Sequence, residues 1–281
     1  MQYCTMRLFT TIAFLGTALA ASCRNHTLWL CGDSTMAPGG GHNGTEGWGQ
    51  YLHYSFDSHI RVNNSAYAGR SARTFTREGR FDRIYEQATA GDWVVIQFGH
   101  NDAGIPANDT KYRTDCPGMG SETCPVTYNN QTEIVQTYVT YLRNATSHFL
   151  SLGARVILTS PTPTNPFTSS GVFSWKPTIY AYYSWYIASS LGGPAKGVYY
   201  VDHSDYAAQA VRLLGAESAN KNYPMDNTHL SPHYADLFAQ AFVLGLKCGT
   251  APLQGAVVNA TARIEGDVLG TCLRVNETLP V

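Results

Sequence analysis

Ser34, Asp226 and His229 are the residues of this chain whose types and order could carry out covalent chemistry. A serine hydroxyl becomes a nucleophile only when a base takes its proton and a third group orients that base. Asp226 and His229, the ends of Asp226-Asn-Thr-His229, can supply both functions. His229 would abstract the proton, while Asp226 would fix its tautomer and stabilise the imidazolium. The order Ser, Asp, His along the chain is that of a serine hydrolase. Taken singly these residues say little: Gly32-Asp-Ser34 is also ordinary turn chemistry, and the chain holds nine histidines. Two further polar clusters, Ala68-Gly69-Arg70-Ser71 and Gly99-His-Asn101-Asp102, complete a set of four that is far more specific.

The elements that must position these clusters are short apolar runs alternating with longer amphipathic ones. Residues 28–31, 60–63, 93–98, 155–159 and 198–201 read as strands. Helices are expected over 48–56, 77–90, 128–152, 177–191 and 232–246, with a polar loop at 103–127. Five apolar strands separated by helices imply an α/β fold with a parallel sheet covered on both faces. Three of the clusters then follow strand ends and the fourth precedes the last helix, at the carboxyl edge where such sheets place functional groups.

Composition narrows the class of partner. The formal net charge is −1, so no basic excess exists to neutralise phosphates, and nucleic acid is not an expected partner. Arg7, the apolar run 8–19 and the small residues Ala18, Ala20, Ala21 and Ser22 read as a secretory signal peptide over residues 1–21. The run falls short of the ~20 residues that span a bilayer, so no membrane partner is expected. Residues 22–281 are read as one secreted domain, a monomer, whose residues 249–281 form a tail. Only 14% of residues are charged, against roughly 25% in typical soluble proteins. N-glycosylation is expected to help solvate that surface, at triplets beginning at Asn25, Asn43, Asn63, Asn108, Asn130, Asn144, Asn259 and Asn276. Cys4 leaves with the leader, and six cysteines remain: Cys23, Cys31, Cys116, Cys124, Cys248 and Cys272. Disulfides are their default in an oxidising compartment, with fifteen pairings open. Cys116 and Cys124 bracket a Pro-Gly-rich loop and favour each other, a Cys248–Cys272 bond could staple the tail, and Cys31 could equally be a buried thiol.

Three other signals compete. Gly39-x-Gly41-x-x-Gly44 has dinucleotide-binding spacing, but the next strand ends in Asn63 and Asn64 rather than an acid, which favours a loop beside the site. His229 and His233 are four apart, yet Pro232 intervenes and the metalloprotease Glu is missing, so no metal and no cofactor is expected. The aromatic stretch around Tyr180–Tyr186 reads as helix core, with Trp175 an open candidate for the rim of the cleft. The Gly-x-Ser-x-Gly elbow of the other large esterase class is absent, since Met36 follows Thr35.

Together the four clusters resemble the SGNH (GDSL-like) hydrolases. The resemblance implies a flavodoxin-like three-layer α/β/α sandwich with a five-stranded parallel sheet. It implies Ser34 as nucleophile, Asp226 and His229 completing the triad, and an oxyanion hole made by the Ser34 N–H, the Gly69 N–H and the Asn101 side chain. Thr35 stands where the family name has Leu, a position not expected to touch substrate. Gly32-Asp-Ser-Thr-Met-Ala37, Ala68-Gly-Arg-Ser-Ala-Arg73, Gln97-Phe-Gly-His-Asn-Asp102 and Tyr200-Val-Asp-His203 look most like the rhamnogalacturonan acetylesterase branch. That branch also pairs cysteines as 116–124 and 248–272. It implies an acetylated plant cell-wall polysaccharide as substrate. A general carboxylesterase or lipase, or an inactive glycan-binding relative, is the alternative.

Overall fold

The computed structural model describes residues 25–258 and 268–274. In chain order the elements are strand β1 (His26–Gly32), strand β2 (Ile60–Asn64), helices α1 (Ala72–Arg77) and α2 (Arg80–Tyr85), and strand β3 (Trp93–Gln97). A hairpin of β4 (Thr123–Tyr128) and β5 (Gln131–Gln136) follows, then helix α3 (Tyr138–Ser151), strand β6 (Arg155–Thr159) and helix α4 (Ile179–Ser190). Strand β7 (Val198–Val201) and helices α5 (His203–Asn222) and α6 (Pro232–Cys248) complete the set.

All five residues of β3, Trp-Val-Val-Ile-Gln, are buried, so this strand needs cover on both faces. It receives it. Side chains alternate along a strand: Leu28, Leu30 and Val95 face one layer with Phe238 and Phe242 of α6. Trp29, Cys31, Val94 and Ile96 face the other with Phe75, Phe81 and Phe149. The sheet is parallel throughout, in the order β2-β1-β3-β6-β7. Counting only these five strands, that is the flavodoxin-like order. Chain leaves β1 toward one side of the sheet and β3 toward the other, and a crevice opens between their exits. Gly32 lies level with Gln97 in the register, so the clusters after β1 and β3 emerge side by side.

Four expectations about elements need correction. Residues 48–56 form two 3-10 turns, Trp48–Gln50 and Leu52–Ser55, rather than one helix. Gly47 lies so close to Ala37 that a Cβ would sit 2.2 Å from its carbonyl oxygen, and the buried Trp48 ring, stacked on Phe242, pins the segment. The helix expected over 77–90 is α1 and α2, split at Gly79, whose φ of 63° is left-handed. The helix expected from residue 128 begins at 138, because Asn129 and Asn130 both take positive φ and turn the β4–β5 hairpin. Helix α5 had no counterpart in the sequence reading. Its buried face is built largely of alanines, Ala207, Ala208, Ala210 and Ala219, with a break at Gly215, so no period of large apolar residues announces it.

The disulfides Cys116–Cys124 and Cys248–Cys272 are present. The second ties the segment 268–274 to α6, and Gln209 Nε2 of α5 donates to the Leu269 and Thr271 carbonyls. Cys31 is a buried free thiol. It has no bonding partner among the described cysteines, and burial pushes its thiol pKa far up. The expected signal peptide, Cys23, Asn259 and Asn276 lie outside the described residues. Asn25, Asn43, Asn108, Asn130 and Asn144 are exposed, while Asn63 is half-buried in β2. Among the described residues no helix is long and apolar enough to cross a membrane.

Candidate active site

The turn after β1 is held from below. The buried Asp33 carboxylate accepts from the Thr35 N–H at 2.9 Å and the Thr35 hydroxyl at 2.7 Å. Gln97 at the end of β3 donates through Nε2 to the same hydroxyl at 2.8 Å. Its Oε1 accepts from Trp48 Nε1 at 3.0 Å. Gly32 allows this approach, since a Cβ there would lie 2.8 Å from Met36 Sδ. Thr35 is thus buried and turned away from the cleft, and its hydroxyl bolts the turn to β3. Ser34 is left as the residue that faces outward from a fixed backbone.

Asp226 and His229 reach Ser34 from the segment before α6. One Asp226 oxygen accepts the backbone N–H groups of Thr228 and His229, at 2.7 and 2.8 Å, which folds the four residues into a tight turn. The other lies 2.6 Å from His229 Nδ1, and His229 Nε2 lies 2.8 Å from Ser34 Oγ. A carboxylate at Nδ1 places the ring proton there and leaves Nε2 free to accept from the hydroxyl. Slight burial works to raise the Asp226 pKa, but hydrogen bonds from the His229 backbone and ring and from Thr228 outweigh it and hold the carboxyl below its usual range. The backbone of Gly41 presses against the imidazole: a Cβ there would stand 2.5 Å from the ring. The Gly-rich loop is therefore a wall beside His229, and the Glu46 N–H tethers it to the Leu230 carbonyl at 2.9 Å.

Gly69 and Asn101 complete the group. Gly69 has a left-handed φ of 75°, which a side-chain-bearing residue would adopt only with strain. Neither its N–H nor that of Ser34 is bonded to another described residue. Asn101 Nδ2 donates one hydrogen to the Arg70 carbonyl at 3.0 Å, which leaves its second N–H unassigned. Arg113 Nη1 donates to Asn101 Oδ1 at 2.7 Å and to the Gly69 carbonyl at 3.3 Å, so one guanidinium orients both groups. Ser34, Gly69, Asn101 and His229 line one open cleft with Gly41, His42, Ala68, Lys111 and Arg113. The sequence reading missed Arg113. The only hint was its place in the polar loop, where the Asp109 carboxylate collects the N–H groups of Lys111, Arg113 and Thr114.

Asp102 joins the second and third clusters. Its carboxylate accepts the Ala72 N–H at the start of α1 and the Gly99 N–H after β3, both at 2.8 Å. This clamp fixes Asn101 relative to Gly69. Burial pushes Asp102 up to about 7. Burial and the neighbouring Asp102 raise Asp115 well above the carboxylate range. Arg73, also fully buried, is spent elsewhere, on Glu133 at 2.6 Å. Trp175 does not line the cleft; its Nε1 donates to Asp205 at 2.7 Å.

A nucleophile, base and orienting acid with uncommitted N–H donors alongside can perform acyl transfer. Known proteins agree with that chemistry. Residues 30–236 match the GDSL-like lipase/acylhydrolase family model. A rhamnogalacturonan acetylesterase of Emericella nidulans is 41% identical over 263 residues, 94% of this chain and 99% of the relative. YesY of Bacillus subtilis is 28% identical over 239 residues, 83% of this chain and 98% of the relative. Among solved structures, the YxiM protein of Bacillus subtilis superposes with a TM-score of 0.62 at 24% identity. That alignment covers 79% of this chain and 56% of the YxiM chain, so the fold is shared with about half of that protein. Cluster geometry, sheet order and sequence identity agree, and the chain belongs to the GDSL-like lipase/acylhydrolase family.

Proposed function

We propose that this protein is a secreted acetylesterase acting on rhamnogalacturonan, through Ser34, His229 and Asp226. The observation that carries the reading is the continuous hydrogen-bonded line from Ser34 Oγ through His229 to Asp226, at 2.8 and 2.6 Å. His229 Nε2 takes the Ser34 proton as Oγ attacks the acetyl carbonyl carbon. The negative charge that forms on the carbonyl oxygen is met by the Ser34 and Gly69 N–H groups and the free Asn101 N–H. Collapse breaks the ester bond, and His229 passes its proton to the departing sugar oxygen. Water, deprotonated by His229, then attacks the acetyl-Ser34 ester. Acetate leaves and Ser34 recovers the proton.

The substrate class rests on the Emericella nidulans relative, whose alignment spans almost both chains. The cleft favours it over a lipid, because it is open to solvent and bears the cations Lys111 and Arg113. Secretion is supported by the leader-like residues 1–21, two disulfides and exposed glycosylation triplets. Acetate release from a panel of acetylated rhamnogalacturonan, homogalacturonan and xylan tests the reading. Release chiefly from rhamnogalacturonan is expected. Preference for xylan, or for octanoyl over acetyl test esters, would replace it.

A further inference from the structure

The acid that orients His229 sits in an exposed part of the chain. Residues 224–227 are all exposed, and the Asp226 side chain keeps 44% of its surface against 24% for His229. Burial does little to hold this turn. Its internal bonds fix Asp226 to His229 without placing either against Ser34. After His229 the chain is held twice: the Leu230 carbonyl accepts the Glu46 N–H, and the Ser231 N–H donates to the Asn222 carbonyl, both at 2.9 Å. Before His229, one backbone hydrogen bond joins residues 224–228 to another segment among the described residues. It runs from the Asn165 N–H to the Asn227 carbonyl, at 2.7 Å.

Asn165 lies at the far end of a stiff connection. Residues 160–166 leave β6 as Ser-Pro-Thr-Pro-Thr-Asn-Pro. Each proline fixes its own φ and biases the residue before it toward an extended backbone, so few conformations are open to this strap. Its near end is pinned beside the cluster that holds Asn101. Ser160 Oγ donates to the buried Asp202 at 2.9 Å and accepts the Ser204 N–H at 2.8 Å. Pro161 packs on Gly99 so closely that a Cβ there would stand 2.9 Å from its Cγ, and Thr162 Oγ1 lies 3.2 Å from His100 Nε2. The far end is pinned beside the turn. The Pro163 carbonyl accepts the Tyr223 hydroxyl at 2.9 Å. Asn165 Nδ2 donates to Asn220 Oδ1 of α5 at 2.9 Å, and Asn165 Oδ1 accepts the Phe167 N–H at 3.1 Å. Asn165 is not among the residues that line the cleft, so its amide serves the strap and not a substrate.

We propose that the strap 160–166 sets the distance between the oxyanion donors and the acid–base pair, and that Asn165 is the positioning residue at its far end. The assignment rests on the Ser34–His229–Asp226 reading above. One end of the strap abuts Gly99 and His100, next to Asn101, and the other carries the bond on which the Asp226 segment depends. Acyl transfer needs His229 Nε2 on Ser34 Oγ while the Asn101 N–H meets the oxyanion, and a misplacement of about 1 Å can cost about 10²-fold in rate. The two side-chain bonds of Asn165 hold its peptide with the N–H turned to Asn227. If they are lost, Asp226 and His229 shift together, because their own turn joins them. The imidazole then keeps its orienting acid and loses its aim at Ser34.

Steady-state acetate release from a soluble acetyl test ester, followed against pH with melting curves on the same samples, tests the strap. Asn165→Ala should lower kcat about tenfold and leave KM within about twofold of wild type. The acid limb of its kcat/KM profile should stay where the wild type has it, because Asp226 moves with His229. Asn165→Asp can still accept the Phe167 N–H and, once the Asn220 amide turns over, the Asn220 N–H, so its kcat should return to within about threefold of wild type. A folded Asn165→Ala protein of unchanged kcat, a shifted acid limb, or an Asn165→Asp variant as slow as Asn165→Ala overturns the positioning role. Where Asn165→Ala does not fold, Asn220→Ala frees the same side chain from α5 and leaves the Phe167 bond intact. It should lower kcat about threefold, and an unchanged kcat overturns the proposal. A wild type that releases no acetate overturns the Ser34–His229–Asp226 reading and the strap's role with it, whereas release that Asn165→Ala leaves untouched overturns the strap alone.

Discussion

Replacing Asn101 separates a chemical role from a structural one, because its amide makes two different kinds of contact. Oδ1 accepts from Arg113 at 2.7 Å and Nδ2 donates to the Arg70 carbonyl at 3.0 Å, with one N–H left over. Asn101→Ala removes all three at once. Two lost hydrogen bonds are worth about 0.5–1.5 kcal/mol each, so this variant should melt earlier whatever its chemistry. Asn101→Asp is the sharper perturbation. A carboxylate of the same size keeps the Arg113 contact and makes it charge-assisted. It offers no donor and directs negative charge at the place where the oxyanion forms. Loss of one oxyanion donor corresponds to about 2.7–4 kcal/mol, or roughly 10²–10³ in kcat. We expect Asn101→Asp to lose at least that much kcat with KM changed little, and to melt somewhat earlier than wild type because the bond to the Arg70 carbonyl is lost. Initial rates of acetate release at saturating substrate, with thermal melting on the same samples, give both quantities. A folded Asn101→Asp protein with kcat within about threefold of wild type would refute the oxyanion assignment.

Three further perturbations follow from the same geometry. Arg113→Met should lower kcat about tenfold or more by releasing Asn101 and the Gly69 peptide together; unaltered kcat would show that neither needs that support. Gly41→Ala would place a methyl 2.5 Å from the His229 ring and should depress kcat far more than melting temperature, which parallel kinetics and melts would reveal. The third concerns pH. Asp102 and Asp115 bind protons more tightly in the native state than in an unfolded chain, where carboxyls titrate near 4. Their contribution to stability is therefore present at low pH and lost as pH rises, that of Asp102 through about 7. Asp115→Asn removes one of these two titrating groups, so its melting temperature should vary less than wild type between about pH 5.5 and 8. His203, whose pKa burial lowers to about 3, acts in the opposite sense as pH falls through the ordinary histidine range, but equally in both proteins. Parallel slopes for the two proteins would show that Asp115 binds no extra proton in the native state.

Much of this organisation could be read from the residues because it depends on local chemistry. The parallel sheet followed from short apolar runs such as 93–96. Ser34 and the Asp226–His229 turn were legible because a nucleophile needs a base and an orienting acid, and the structure brings the three side chains together as expected. What stayed hidden depends on contacts distant in sequence. Arg113 looks like any loop cation until folding places its guanidinium on Asn101 and Gly69. Tyr67 reads as one aromatic among many, and only folding places the Arg70 and Arg80 guanidiniums over its ring. Helix α5 was lost because alanine packing carries almost no hydrophobic period. The error at 128–136 came from a different source: Ile134, Tyr138, Tyr141 and Leu142 keep a helical spacing across the end of β5, while the positive φ of Asn129 and Asn130 that turns the hairpin leaves no hydrophobic period.

The central claim is that Ser34 attacks an acetyl ester with His229 as its base. The Ser34 side chain contributes little to the fold, since its Oγ bonds only to His229 among the described residues. The most direct measurement is kcat for acetate release from acetylated rhamnogalacturonan by wild type and Ser34→Ala, with melting curves to establish that both are folded. The account expects release by the wild type and a loss of at least about 10³-fold in a Ser34→Ala protein of unchanged stability. A folded Ser34→Ala variant that retains about a tenth of wild-type kcat would contradict it.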